Sequence, residues 1–543
     1  MVKLPNQIKV LDCTFRDGGY YTNWYFSKKT TEKYLRAASS AGIDWVEVGF
    51  RFLNQDDKQG PFASTTDEFL DSLSLPKGPD YGVMINGADF VGMDTKTLKE
   101  SLAFLFKTSS ESPVSLVRIA INFNDAEEVR EITLVLKDLG YKIGLNLMQS
   151  QEKSARDYLE TSKLIEKWGS VNILYFADSL GTMKPEDIKF ISESLKEGWN
   201  GNLGFHAHNN KGLALINTIT AIENGVNWCD GTLTGMGRGA GNVPTESLLM
   251  ELELDSKHKG KAMSLHPIVE ELNLLKESYK WGSNFYYHYA ANHNIHPTYV
   301  QTLLSDDRYD GSQALEALKF LSQEKSTSYN NKVLRKSIYQ NQKENLGKWD
   351  ATDWLKNKDV LIVGGGPSVI NYKKEILNLI QEKNLETLFL NYNNTLPLNL
   401  AKATLVCHEA RALLEAKMYK NLPHPLILPM STLGKLIEEE LKEVSILDYS
   451  LTLKPESLEV SSTGCTLASP LAAAYALCVA TQANSRRIFL VGFDGYLKGD
   501  QRNEEMDQLF QIYKTLDNSV ELISLAPTNY ELDFDKKFFD LLT

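Results

Sequence analysis

What this chain of 543 residues lacks bounds it first. No apolar run approaches the roughly 18 residues needed to span a bilayer. The start, Met1-Val2-Lys3-Leu4-Pro5, carries no apolar signal core, so a cytoplasmic protein is expected. Basic charge is in deficit: 58 Lys and Arg against 70 Asp and Glu leave −12 near neutral pH. That balance argues against broad binding to nucleic acid or anionic membrane. Cysteine is scarce and scattered (Cys13, Cys229, Cys407, Cys465, Cys478), odd in number and without CxxC spacing. This excludes a disulfide framework and a zinc-ribbon site and suits reduced core thiols. There is no low-complexity tract. The length exceeds what one core holds, so two or more domains are expected.

What is present is alternation. Short β-branched runs at Ile8–Thr14, Trp45–Gly49, Tyr81–Ile85, Leu116–Ile121, Lys142–Leu147, Asn172–Ala177, Asn202–Ala207 and Trp228–Thr232 read as strands. Between them, amphipathic stretches such as Ser27–Ala41, Ala126–Leu139, Ser154–Trp168, Pro185–Glu197 and Gly212–Asn224 read as helices. Eight βα repeats over this length predict a (β/α)8 TIM barrel across residues 1–300. A polar, helix-and-linker connector is expected over 301–355. A Tyr- and His-rich segment ending in Tyr286–Tyr299 offers a surface for packing a second subunit, so a homo-oligomer is expected. From Asp359 a second α/β pattern begins, a strand ending in Gly364-Gly365-Gly366-Pro367-Ser368. It predicts a Rossmann-like doubly wound domain over 356–543, with a ligand at the switch point of its sheet.

Polar residues gather where a barrel enzyme needs them, at the strand C-termini. Asp12, Arg16, Asp17, Glu47, Asn86, Asn122, Asn146, Asp178, His206, His208 and the loop Gly235 to Asn242 all fall there. Alternate strand residues share a face, so Asp12 and Thr14 point together, as do His206 and His208. A carboxylate in a strand is costly unless paired or bound to a metal. One carboxylate with two co-facial imidazoles predicts a divalent-metal set of Asp12, His206 and His208.

Four ordered motifs carry a resemblance: Asp12-x-Thr14-x-Arg16-Asp17-Gly18; Gly42-Ile43-Asp44 with Glu47-Val48-Gly49-Phe50; His206-Ala207-His208-Asn209; and Gly235-x-Gly237-x-Gly239-Ala240-Gly241-Asn242. Over roughly residues 5–300 the chain resembles the DRE-TIM metallolyase superfamily, which includes HMG-CoA lyase, isopropylmalate and homocitrate synthases and 4-hydroxy-2-oxovalerate aldolase. The resemblance implies one Mg²⁺ or Mn²⁺ on Asp12, His206 and His208, with Asn242 as a fourth ligand. It implies a pyruvate-type 2-oxo acid and an aldehyde as substrates, joined or cleaved through a metal-bound enolate. Arg16 would stabilise the developing oxyanion, with Asp17, Thr14 and Glu47 supporting. Where the aldolases carry a histidine base, this chain has Tyr20, followed by Tyr21. Tyr20, Tyr21, His293 and a metal-bound hydroxide are the candidate bases, a tyrosine only if its pKa is lowered. His293 and His296 lie near a helix and an X-Pro bond, where a structural role is the stronger reading for both. No cysteine stands in the Gly-rich loop, which disfavours acyl-CoA cleavage and favours an aldolase; Arg238 there reads either as a partner for a carboxylate or phosphate of the substrate or as a residue of a solvated rim. Two alternatives are an acetyl-CoA-dependent acyltransferase and a degenerate barrel acting as a scaffold.

The C-terminal part lacks a GxGxxG fingerprint, so a nicotinamide is not expected. Its Gly-Pro-Ser loop, Leu390-Asn391-Tyr392-Asn393, Thr463-Gly464-Cys465-Thr466 and Ile488 to Tyr496 resemble bacterial CMP-sialyltransferases and pterin-pyrophosphokinase-like domains. This implies a CMP-type nucleotide or nucleotide-sugar at Gly364, Gly365, Gly366, Ser368, Asn391 and Thr463, with His408 or Asp494 assisting. The pairing of the two domains points to a bacterial surface polysaccharide.

Overall fold

The computed structural model describes residues 8–54, 59–254, 258–306, 309, 311–324, 326–339, 346–433, 435–454, 457–496 and 501–533. The chain divides into two compact units, Met1–Ser305 with Leu318–Tyr329, and Asp306–Ala317 with Asn330–Thr543.

The first unit is a closed barrel of eight parallel strands. They are β1 (Lys9–Asp12), β2 (Trp45–Phe50), β3 (Asp80–Asn86), β4 (Leu116–Asn122), β5 (Lys142–Met148), β6 (Ile173–Asp178), β7 (Asn202–Ala207) and β8 (Trp228–Gly231). Each pairs with its neighbour in sequence, and β8 closes on β1. The helices between them show why they form. Lys28–Ala41 starts at Ser27, whose hydroxyl accepts from the Thr30 amide, and stops at Gly42 with φ 72°. Its buried face repeats at Thr31, Tyr34, Leu35, Ala38 and Ala41, the spacing of one helical stripe.

The barrel interior is layered. Leu11, Cys13, Trp45, Leu116, Ile173, Tyr175 and Trp228 pack together at its base. Above them Arg118 lies over the Tyr175 ring at 4.1 Å. Gly144 and Gly204 leave the room for this, since a Cβ at either would meet Arg118 or the Tyr175 ring. Because Leu11 and Cys13 point inward, Asp12 between them points out toward the helices. Arg16 and Asp17, expected at the tip of the first strand, lie instead in a helical turn, Thr14–Asp17. The Tyr- and His-rich segment forms helices Phe285–Asn292 and Pro297–Ser305, and a strap of the chain returns to them: His296 N donates to Ser326 O at 2.7 Å, and Tyr299 stacks near Tyr329.

The second unit holds an all-parallel seven-stranded sheet. Its strands are β9 (Asp359–Val363), β10 (Glu386–Leu390), β11 (Ala401–Leu405), β12 (Leu426–Leu428) and β13 (Ile446–Asp448), then β17 (Arg487–Val491) and β18 (Leu522–Ser524). The order is β13-β12-β11-β10-β9-β17-β18, so it reverses between β9 and β17. A separate three-stranded sheet is built from β14 (Ser450–Leu453), β15 (Leu458–Ser461) and β16 (Gly464–Leu467). The Ala-rich helix Ala472–Gln482 is buried along nearly its whole length, packed against both the small sheet and the large one. Among the described residues no helix is long and apolar enough to cross a membrane.

Candidate active site

The carboxylate that meets the two histidines is Asp17, not Asp12. Asp12 is fully buried on the outer face of β1, and hydroxyls enclose it. Its Oδ1 accepts from Tyr34 at 2.5 Å, from the Thr14 hydroxyl at 2.6 Å and from the Thr14 amide at 2.9 Å. Its Oδ2 accepts from Thr245 at 2.5 Å. Asp12 therefore pins β1 to two helices and has no lone pair directed into the barrel. Thr14 passes the tie on, accepting from the Leu233 amide at 2.9 Å.

Asp17, His206 and His208 present ligand atoms within 4.8 Å of one another, all buried. A divalent ion with ligands at ~2.1 Å spaces its donors by ~3–4 Å, so a small adjustment closes the set. The Asp17 Oδ2 and Asn242 Oδ1 atoms are buried without a hydrogen-bond partner, and the Asn242 amide lies 3.1 Å from His206 Nε2. One carboxylate, two imidazoles and an amide oxygen, two of them with an unused buried oxygen, fit a divalent cation. The Gly-rich loop brings Asn242 there. His208 bridges Asn242, and Asn209 N donates to Gly241 O at 2.8 Å. A Cβ at Gly237 would overlap Asn242 Oδ1 and stand 3.1 Å from Asp17 Oδ2, so the loop passes the donors only as glycine.

Behind the donors runs a closed ring of buried charge. Arg16 binds Glu47 at 2.7 Å and Asp17 at 3.1 Å. Arg118 binds Glu47 at 3.2 Å and Asp230 at 2.6 Å, and His206 Nδ1 lies 2.8 Å from Asp230. His206 Nε2 returns to Asp17 at 3.5 Å. Burial opposes the Arg16 charge, yet Asp17 and Glu47 hold its pKa well above the usual value. Burial likewise opposes the Asp17 carboxylate, but Arg16 and the two histidines hold it well below the usual range. His206 is raised despite its burial, by Asp17 and Asp230, whereas desolvation takes His208 down to about 3. Glu47 thus holds two arginines and does not face a substrate. Arg16 Nη2 is left buried and unpartnered beside Asp17. Arg118 and Asp230 were not foreseen; their signal is a charge at an inward position of a strand, Arg118 in β4 and Asp230 in β8. Cys13 also approaches His206 and Asp230, but burial pushes its thiol well up, so it offers no thiolate.

Tyr20 sits edge-on to Trp24 at 4.9 Å with the Arg238 guanidinium 5.7 Å from its ring. Tyr20 reaches the surface with its ring, yet desolvation raises its phenol, against Arg238 and with Asp17, so the lowered pKa that a tyrosine base requires is absent. Tyr21 is tied down, donating to Gly239 O at 2.6 Å, and burial raises it too. His293 is exposed and stacked on Tyr289, which removes it from the candidate bases. Around the rim, Asn86 donates to Asp89 and Asn122 to Gln149. Burial takes Asp178 up to about 7 against the Thr182 and Met183 amides that it accepts from. Asn146 Oδ1 is buried without a partner.

In the second unit the glycines lie at the carboxyl end of β9, where the sheet order reverses. Asn393 donates to Gly364 O at 2.9 Å, joining this loop to the end of β10, where Asn391 sits with φ 56°. Thr463 is elsewhere. It precedes β16 and its carbonyl accepts from Ser450, just beyond β13, four strand spacings or roughly 19 Å from β9. The Ser368 hydroxyl donates to Asp494 at 2.9 Å and its amide at 3.1 Å. A carboxylate therefore already takes the donors expected for a phosphate.

A family model described as HMGL-like matches residues 7–273. A 4-hydroxy-2-oxovalerate aldolase of Carboxydothermus hydrogenoformans is 31% identical over 252 residues, 46% of this chain and 71% of that protein. The chain belongs to this family. It is a metal-dependent lyase of the aldolase type. An oxaloacetate decarboxylase of Mycobacterium tuberculosis is 30% identical over 247 residues, 45% of this family member and 69% of that protein. The solved N-terminal domain of a candidate aldolase from Bacteroides vulgatus is 31% identical and covers 55% of this chain and 97% of its own, with a TM-score of 0.49.

Proposed function

We propose that the barrel makes or breaks a carbon–carbon bond beside a pyruvate-type 2-oxo acid, with an aldehyde as second substrate. The observation that carries this is the convergence of Asp17, His206, His208 and Asn242 beside an unpartnered Arg16 Nη2. These four residues would hold Mg²⁺ or Mn²⁺, which when bound supplies Lewis acidity toward the oxygens of the 2-oxo acid. In cleavage of a 4-hydroxy-2-oxo acid, the C4 hydroxyl gives its proton to water and the C3–C4 bond breaks. Its electron pair moves into the C2–C3 enolate, the aldehyde leaves, and C3 takes up a proton. Arg16 Nη2 donates to the oxygen on which that negative charge grows. Its charge is fixed and its fork is held by Glu47 and Asp17, so it needs no reorganisation at the moment of reaction. Tyr20 keeps its proton and serves on the donating side of the proton transfer.

The test is proton–deuterium exchange at C3 of pyruvate, followed by NMR with and without Mn²⁺. Exchange that requires metal and disappears in His206→Ala is expected. A metal-loaded protein that exchanges no pyruvate proton, with or without an aldehyde, overturns the reading. The likeness to an oxaloacetate decarboxylase supports a second reading, in which the bond to the departing carboxylate breaks, CO₂ leaves and the same enolate is protonated. CO₂ release from oxaloacetate distinguishes it.

For the second unit we propose a Rossmann-like nucleotide or nucleotide-sugar domain, supported by glycines at the reversal point of a parallel sheet. With Asp494 on the Ser368 donors, its ligand would be held through base or sugar hydroxyls more than through phosphate. A homo-oligomeric cytoplasmic protein serving surface-polysaccharide synthesis is the setting that these readings support.

A further inference from the structure

At the mouth of the barrel stands a cation without an anion. The buried arginines of the first unit each hold a carboxylate: Arg16 reaches Glu47 at 2.7 Å, Arg51 reaches Asp67 at 2.5 Å and Arg118 reaches Asp230 at 2.6 Å. Arg238 has no carboxylate partner among the described residues, and its Nε is buried without a hydrogen bond. Its surroundings are the Tyr20 phenol, whose ring lies 5.7 Å away, and the imidazoles of His208 and His296. None of these supplies the negative charge that a half-buried guanidinium calls for.

The position is also fixed. Gly237, one residue before, runs against Asn242 and Asp17. Gly239, one residue after, donates its amide to Gln301 at 3.0 Å and accepts from Tyr21 at 2.6 Å. Gln301 in turn donates to Tyr20 O at 3.2 Å. A guanidinium on so constrained a loop, beside the donor set and backed by an aromatic face, presents its fork to whatever enters.

Resting on the aldolase reading, we infer that the aldehyde substrate carries an anionic group and that Arg238 receives it. The 2-oxo acid has its own cation in Arg16, so the charge at Arg238 is spare for the second substrate. A carboxylate and a phosphate share this chemistry, and the acceptor series separates them.

The experiment condenses pyruvate with propionaldehyde, succinic semialdehyde or glyceraldehyde 3-phosphate in Mn²⁺-loaded full-length protein. An anionic aldehyde should exceed the neutral one in kcat/KM by about tenfold to a hundredfold, the worth of one charge-assisted pair. Whichever anion is preferred names the group. In Arg238→Met that preference should collapse, mostly through KM, and Arg238→Lys should restore part of it. A merely structural arginine would lower all three acceptors alike and leave their ratio unchanged, which overturns the inference, as does a wild-type preference for propionaldehyde. Absence of metal-dependent pyruvate exchange overturns the aldolase reading beneath it. Exchange without any preference for an anionic aldehyde overturns only the role of Arg238.

Discussion

Asp12 and Asp17 stand five positions apart and do opposite work. Asp12 accepts three hydroxyls and an amide and knits β1 to the helices around it. Asp17 keeps an unpartnered oxygen among two imidazoles. Asp12→Ala strands the buried hydroxyls of Thr14, Tyr34 and Thr245, at about 1–3 kcal/mol for each that stays unsatisfied. It should lower the unfolding midpoint in urea, while the folded fraction still binds Mn²⁺. Asp17→Asn should instead act first on the metal, weakening Mn²⁺ binding in calorimetry by a hundredfold or more, and it carries a stability cost of its own because it unpairs the buried Arg16. Equal effects on both readouts in both variants would contradict this division. The sequence alone names both acids but not which faces the barrel, because strand parity depends on where the strand begins. Only the inward packing of Leu11 and Cys13 decides it. His206, His208 and Asn242 needed no such choice, since two motifs that meet in space hold all three.

The Gly-rich loop is the element that turns these residues into one site. Gly241 has φ 79°, and a Cβ there would strike Gly235 O, while Gly237 has no room beside Asn242. Gly237→Ala should therefore push Asn242 away from His206. The expected result is at least tenfold weaker Mn²⁺ binding, read by water-proton relaxation, with far-ultraviolet circular dichroism unchanged. Mn²⁺ binding equal to the wild type would show that the loop has slack. Long periodic elements were legible here: the eight barrel strands lie within a few residues of the apolar runs that foretold them. The three-residue strands β13 and β18 and the sheet β14–β16 were not, since three or four residues of mixed polarity carry no period. Thr463 was misplaced for that reason, its neighbour in space being Ser450 and not the glycines.

At the scale of the molecule, two units with separate cores should unfold separately. A ligand at a hundred times its Kd adds about 2.7 kcal/mol to the unit that binds it, enough to move a midpoint by roughly 5–10 °C. Calorimetry should show two transitions, one raised by Mn²⁺ with pyruvate and the other by CMP. If CMP raises neither, the nucleotide reading of the second unit falls. The chemistry of the barrel was legible in four motifs, whereas Arg118 and Asp230, lone charges within apolar strands, were hidden among ordinary strand residues.

The ring through Asp17, Arg16, Glu47, Arg118, Asp230 and His206 has a consequence for how such a chain can change. Three carboxylates and two guanidiniums leave one negative charge to be balanced. Neutralising any single member strands its neighbours in the dry interior at about 3–5 kcal/mol, a large share of a domain's whole margin. Substitutions at these six positions are therefore tolerated only in compensating pairs. Arg118 exchanged together with Asp230 for apolar residues of matching volume leaves fewer stranded charges than either change alone. Change should accordingly cost less at the rim, where Tyr20 and Arg238 stand outside the ring, than at the hub. New substrates would come from the mouth of the barrel and the chemistry would stay where it is.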